Sequence, residues 1–469
     1  MYQYFYHRKD IPSWLHQSSL KYGDIFELYF GSDKCLMISD LRIVERVMSP
    51  AKDGNYFVRV ATRKGLDELQ KSNNGILFNE DFNSWSYIRK VLIRATVSPS
   101  ALRFAVTTLN NVFHDLEKLW DSLIEEQGQF LHDEQEKSVE IDFATWAKRI
   151  FAETTMLLIV GRQPNLLSTY YNRITNKNNI QKNSNEEFLD RLAIASDCVQ
   201  YYVSVPSFIL KERRKEIESI DDKSKLKPDM LSMLLIANTP KDITQGISNN
   251  SDKNSMTDKE VGDNIVEVIS EGIDSPTNAL SFILHCVGNN PDVEQRIVDE
   301  IEKVFDHGVD FNNINEDLNK LEYIEAVIKE VLRIRPVTAT ISRFSTHSDQ
   351  IDEYKIPLST QLAINMMGLH KNPNYWKEPM EFNPSRFLAN SSNSSEEIYN
   401  KNAFMYFGGG LRMCPGRQLA ITQLKMMIVL LYNKYKFEVI TKEPSMQHNV
   451  NIQCKELKIR IKCRKIKVY

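Results

Sequence analysis

The sequence lacks what a disulfide-held, secreted or membrane-spanning chain needs. It has six cysteines, Cys35, Cys198, Cys286, Cys414, Cys454 and Cys463, scattered and with no C-x-x-C pair. That argues against a disulfide framework or a zinc site and fits a reducing compartment. No window offers ~18 consecutive apolar residues, so no transmembrane helix is predicted. The start, Met1 to Asp10, is aromatic but turns charged too early for a signal peptide. A net charge of -3 gives no footprint for nucleic acid. No repeat of solenoid period is visible.

What is present is a 469-residue chain, 42% apolar, long enough for a large buried core. Tyr22–Gly31 and Cys35–Ser39 read as two strands joined by a Gly-Ser-Asp turn, with Asp40 as N-cap of a helix through Met48. Residues 51–80 have little periodicity, as binding-site frames often do. Phe82 to Val160 reads as mainly helical. Asn176–Asn185 reads as a solvated loop and Glu186–Tyr202 as an amphipathic helix. Phe208-Ile209-Leu210 beside Lys211–Lys215 reads as a helix corner or a membrane-surface contact. Helices are predicted over Lys259–Gly288, Pro291–Phe305 and Leu318–Ile334. Short strands follow over 336–365, with a turn near Asp349-Gln350. Leu457–Cys463 alternates apolar with basic residues, the mark of a half-buried strand.

The chain is organised around Phe407-Gly-Gly-Gly-Leu-Arg-Met-Cys414-Pro-Gly416. A helix is predicted directly after it. A cysteine before a helix N-terminus feels the positive end of the dipole, which favours the thiolate. The glycines let the backbone approach something flat or large. An anionic sulfur on a rigid loop is a nucleophile or a metal ligand.

This stretch resembles the haem-binding signature of the cytochrome P-450 family, F-x-x-G-x-R-x-C-x-G, at Phe407, Gly410, Arg412, Cys414 and Gly416. Further motifs follow in family order. Glu330 and Arg333 match an E-x-x-R pair, and Phe382-Asn-Pro-Ser-Arg386-Phe387 resembles the second arginine motif. Trp85 and Arg89 match W-x-x-x-R, and Glu271-Gly-Ile-Asp-Ser-Pro-Thr277 resembles [A/G]-G-x-[D/E]-T. The resemblance runs from about Tyr22 to Ile461. It implies a mainly α fold with a small β region, in one catalytic domain over 1–469. The β-rich parts are placed at about 22–50 and 336–365, and the haem-binding loop at 407–416.

The resemblance further implies haem b, with Cys414 as axial ligand of the iron and Phe407 packed on the proximal face. Arg89, Arg343 and Arg412 become partners of the haem propionates, with Trp85 in support and His370 as an added candidate. Glu330, Arg333 and Arg386 become a buried charge network behind the Cys414 loop. Asp274 and Ser275 become the proton relay, although Glu271 stands where the family has alanine and Ser275 where it has threonine. Pro276 has no N–H, so the Gly272 carbonyl should lose its helical partner and the helix should kink there. Thr277 cannot replace Ser275, because two residues along a helix turn a side chain ~200° away.

The implied activity is insertion of one oxygen atom from O2 into an apolar small molecule: a lipid, sterol or secondary metabolite. Electrons would come from a separate protein of the NADPH-dependent diflavin reductase kind. Arg417, Lys425 and Lys90 are candidates for its docking patch. An isomerase or dehydratase of the same fold, or a haem protein with weakened catalysis, remains the alternative. The family's N-terminal anchor and proline-rich hinge are not matched in this stretch. The expected placement is the cytoplasmic side, either soluble or peripheral on the endoplasmic reticulum membrane.

Overall fold

The computed structural model describes residues 10–30, 33–49, 55–59, 75–130, 136–175, 205–222, 225–237, 239, 255–305, 314–388, 400–448 and 451–464. Asn176–Asn185 and Glu186–Tyr202 fall outside these residues. The protein is mostly helical. Its main helices are α1 (Ile11–Tyr22), α2 (Leu41–Val47), α3 (Phe82–Val97), α4 (Pro99–Gln127), α5 (Phe143–Val160), α6 (Asp258–Gly288), α7 (Glu322–Ile334) and α8 (Arg417–Lys434).

Apolar periodicity explains how these helices pack. On α7, Ile324, Val327, Ile328, Val331 and Leu332 fall at helical spacing and all are fully buried. Burying each such side chain is worth ~1.5–3 kcal/mol. α6 opens on a capping box, with the Thr257 side chain accepting from Glu260 N and the Glu260 side chain accepting from Thr257 N. It packs along α5.

Two small sheets flank the helices. β1 (Ile25–Phe30), β2 (Asp33–Ile38), β8 (Gln361–Asn365) and β5 (Thr340–Phe344) lie side by side in that order, with β2 parallel to β8. This joins the two stretches that the sequence reading put in one β region. The second sheet runs β3 (Gln129–Phe130), β4 (Lys137–Asp142), β12 (Lys458–Cys463), β9 (Tyr435–Val439). On β12, Ile459 and Ile461 are buried, while Arg460 bridges Glu438 and Glu140 on the neighbouring strands at 2.6 Å each. Two hairpins complete the set: β6 (Asp349–Ile351) with β7 (Tyr354–Ile356), and β10 (Ser445–His448) with β11 (Ile452–Glu456).

Several expectations are corrected. Leu318–Ile334 is not one helix but a short one, Ile314–Lys320, followed by α7. The break is set from a distance, because the Glu300 carboxylate accepts the N–H groups of Tyr323 and Ile324 at 2.7 and 2.8 Å. Phe82–Val160 is interrupted by β3 and β4, whose partner β12 lies at the far end of the chain. The turn expected at Asp349-Gln350 lies past β6, where Asp352 adopts φ 51°, a left-handed value that aspartate tolerates.

Phe208-Ile209-Leu210 lies within a helix over Val205–Ser219. Leu210 is buried and Ile209 packs on the core around Leu92 and Ile269. Arg213, from the charged run, is buried too. It pairs with Asp229 at 2.5 Å and donates to the Val160 carbonyl at 2.7 Å. The described part of this corner therefore packs on its own protein. Among the described residues, no helix is long and apolar enough to cross a membrane.

Candidate cofactor site

The Cys414 loop is wound tightly before α8. Gly408 and Gly410 have φ of 73° and 63°, where a side chain would be strained. A Cβ on Gly410 would also fall 2.1 Å from the Met48 carbonyl oxygen, so the loop closes against the chain after α2. Cys414 N–H donates to the Phe407 carbonyl at 2.9 Å, and Gly408 N–H to the Met405 carbonyl at 2.7 Å. Phe407 packs edge-on against Tyr406, with Arg417 over its ring.

The Cys414 thiol does not behave as the helix dipole alone would predict. Burial pushes its pKa up, Glu271 adds to the rise, and the Gly416 amide, Arg59 and Arg89 pull it back. Desolvation outweighs the dipole. A coordinated metal deprotonates such a thiol outright.

Four arginines converge beside this loop. Arg412, on the loop, donates to the Ile76 carbonyl at 3.1 Å and to the Asn79 carbonyl. Its guanidinium lies over the rings of Phe57 and Trp85 at 4.0 and 4.7 Å. Trp85 is buried, and Arg89, one helical turn on, covers it as well at 5.4 Å. Arg343, on β5, is 2% exposed and donates to the Ser342 carbonyl at 2.8 Å. Arg59 donates to the Arg412 carbonyl at 2.7 Å. Arg59 was not foreseen. It lies in the stretch without periodicity, where no spacing marks a role.

Burial first, then neighbouring guanidinium groups, bring Arg412 down to about 8 and Arg343 to about 9. Among the described residues, none of the four makes an ion pair, and Nε of Arg59 and of Arg412 has no hydrogen-bond partner. A cavity of about 130 Å³ opens between Met48, Tyr56, Phe57, Arg343 and Arg412. Buried charges are ordinarily paired, so this cluster calls for anions. A group carrying two carboxylates beside a sulfur-bound metal fits the donor set, as haem does.

His370 does not join that cluster, which corrects the expectation. It is fully buried, and its Nε2 accepts the Met405 N–H at 3.2 Å. Desolvation, then Arg333, lowers its pKa to about 3. It belongs instead to the support behind the loop. Glu330 and Arg333, both fully buried, form a two-point pair at 2.7 and 2.8 Å. Arg333 also donates to the carbonyls of His370, Pro379 and Glu381. Arg386 reaches Glu330 at 3.3 Å. The line Arg333–His370–Met405–Gly408 thus ties α7 to the cysteine loop through hydrogen bonds.

On the opposite wall, α6 runs unbroken through Pro276. The Gly272 carbonyl is not left without a partner, because Thr155 on α5 donates to it at 3.0 Å. Thr277 turns away, as expected, and bonds the Ile273 carbonyl at 2.6 Å. Ser275 is half-buried. Asp274 is held by Lys148 at 3.7 Å and Gln453 at 3.2 Å. The docking-patch reading of Lys425 is also corrected. Lys425 is buried, paired with Glu325 at 2.6 Å and bonded to the Leu318 carbonyl. Lys90 and Arg417 are exposed.

Comparison with known proteins places this geometry. The family model described as cytochrome P-450 matches residues 1–463. The chain is 26% identical over 451 residues to the steroid 17-alpha-hydroxylase/17,20 lyase of Mesocricetus auratus, covering 92% of this chain and 83% of that one. It is 24% identical over 464 residues to cytochrome P-450 3A13 of Mus musculus, covering 96% and 83%. Its fold matches the crystal structure of the cytochrome P-450DA heme domain at a TM-score of 0.76 and 16% identity, over 99% of this chain and 95% of that one. The chain therefore belongs to the cytochrome P-450 family of haem-thiolate oxygenases, which work with dioxygen, a small-molecule substrate and an electron-transfer partner.

Proposed function

We propose that the protein is a haem b monooxygenase that inserts one atom of O2 into an apolar lipid-, sterol- or secondary-metabolite-like molecule. Its electrons come from a separate NADPH-dependent diflavin reductase, and residues 1–469 act as one catalytic unit. The observation that carries this reading is Cys414 on its glycine loop, beside four arginines that make no ion pair among the described residues. Haem held by a thiolate supplies the chemistry that favours O–O cleavage.

This chain's residues do the rest. Cys414 would hold the iron, and Arg59, Arg89, Arg343 and Arg412 would hold the two propionates, with Trp85 beneath Arg89 and Arg412. Phe407 covers the sulfur side. Asp274 and Ser275 line the opposite wall, where protons must enter. Ile269 and Ile273 on α6, and Val337 and Ala339 before β5, are buried and apolar. The similarity to a relative named for steroid hydroxylation supports the same class. The proposed position is peripheral, on the cytoplasmic face of the endoplasmic reticulum membrane.

The test has two parts. The reduced protein under carbon monoxide should show a thiolate-type Soret band that Cys414→Ser abolishes; an unchanged spectrum in the variant sinks the assignment of Cys414. Turnover should need both reductant and dioxygen. Product formed from a peroxide without external electrons would favour an isomerase or dehydratase instead.

A further inference from the structure

The carboxyl group that the family pattern points to, Asp274, is already engaged. Lys148 on α5 and Gln453 on β11 hold its two oxygens, and its own carbonyl accepts from Asn278. Asn278 in turn accepts the Cys454 N–H at 2.8 Å. These contacts fasten α6 to α5 and to the β10–β11 hairpin. They point the Asp274 carboxylate toward its neighbours in the scaffold.

One turn before Ser275 on the same helix stands Glu271, so the two side chains share a face. Its surroundings differ from those of Asp274. Glu271 lies within electrostatic reach of Cys414 and Arg59, and the Asn451 side chain hydrogen-bonds to it. Asn451, directly before β11, is buried and bonded to Thr338 at 3.2 Å. Glu271 is only half-buried while lying in the interior. Part of the residue is therefore left uncovered by protein.

We propose that Glu271, rather than Asp274, is the acid that supplies protons on the pocket wall opposite the Cys414 loop, with Asp274 as a positioning residue. This deepens the monooxygenase reading and rests on it. The charged and polar groups facing Glu271 are Glu267 and Asp274 on its own helix, Arg59 from the segment after α2, Asn451 from the hairpin and Cys414 from the loop. Burial, then Asp274, push the Glu271 pKa up, while Arg59 and Asn451 favour its carboxylate form. In the step itself an O–H bond at the Glu271 carboxyl breaks and the carboxylate keeps the electron pair. The proton goes to dioxygen reduced by electrons from the separate donor protein, and water reprotonates Glu271. Ser275, on the same face, is placed to pass that proton.

The test uses the holoprotein in its reduced carbon monoxide form, read by the infrared C–O stretch. That frequency responds to a hydrogen-bond donor in the pocket and needs no turnover. Glu271→Gln and Glu271→Ala should shift the band, and the band's sensitivity to D2O should be lost in Glu271→Ala. Asp274→Asn should leave the band in place and lower the melting temperature instead. A shift in Asp274→Asn with none in either Glu271 variant overturns the proposal. The Soret band of each sample reports whether it has folded around haem. Turnover of Glu271→Gln should fall about 10²-fold, the low end for general acid catalysis. If wild type gives no product with any donor, the monooxygenase reading fails, while the infrared band still reports which acid faces the pocket.

Discussion

The Thr155 hydroxyl reaches from α5 to the Gly272 carbonyl on α6 at 3.0 Å. That carbonyl is the one Pro276 deprives of its helical donor. A proline in the middle of the longest helix is thus matched by a hydroxyl from its neighbour. Gly272 makes the approach close: a Cβ there would lie 3.2 Å from Thr155 Cγ2.

Thr155→Val should leave the Gly272 carbonyl unpaired and cost ~1–3 kcal/mol of stability, with Thr155→Ser recovering most of it. In a Pro276→Ala background, where residue 276 has its own N–H, Thr155→Val should cost much less. Denaturant unfolding of the wild type and these variants checks this. Equal costs in both backgrounds would show that the hydroxyl does not serve that carbonyl.

Breaking the buried pair behind the cysteine loop should be costly. Glu330→Gln leaves Arg333 buried without its carboxylate, a loss of ~3–5 kcal/mol. Arg386→Ala should cost less, because Arg386 lies at the edge of the network and is partly exposed. Thermal melts of the holoprotein, with haem retention read from the Soret band, would rank the two.

The four arginines should act on cofactor affinity rather than on folding. If they hold the propionates as proposed, Arg343→Ala and Arg59→Ala should each cost ~1.5–3 kcal/mol, or roughly 10–100-fold in haem affinity. Lys425→Ala should lower stability and leave haem affinity unchanged, since Lys425 pairs with Glu325 away from the cluster. Haem transfer to an acceptor protein measures this.

His370 carries a pH signature. Its folded pKa, about 3, lies below the ordinary imidazole value of 6.5 because burial and Arg333 disfavour the imidazolium. Between those values the unfolded chain binds the extra proton, so stability must fall as pH drops through this window. Below 6.5 this group contributes a slope of ~1.4 kcal/mol per pH unit. Above that value it contributes none. His370→Asn should flatten the melting curve against pH over that range, and an unchanged slope would assign the acid sensitivity to other groups.

Much of this protein was legible in its sequence where the signal is local. Apolar spacing on α7 and alternation on β12 follow from geometry that repeats every few residues. The cysteine loop carries its glycines, arginine and sulfur within one short stretch. Other features needed contacts between distant residues. The Glu300 carboxylate sets the start of α7, and β12 decides that residues 137–142 are a strand. Lys425 looks like a surface charge until Glu325 and the Leu318 carbonyl bury it.

The same division runs through the site. By itself the sequence determined the thiolate loop, the Glu330–Arg333 spacing and the Trp85–Arg89 turn, since each depends on residues a helical turn or a tight loop apart. Only the tertiary structure decided that Arg59 joins the arginine cluster and that His370 braces the loop instead. It also turned Asp274 toward Lys148 and brought Glu271 within electrostatic reach of Cys414. Those outcomes depend on which charges burial brings together, and burial is a property of the packed whole.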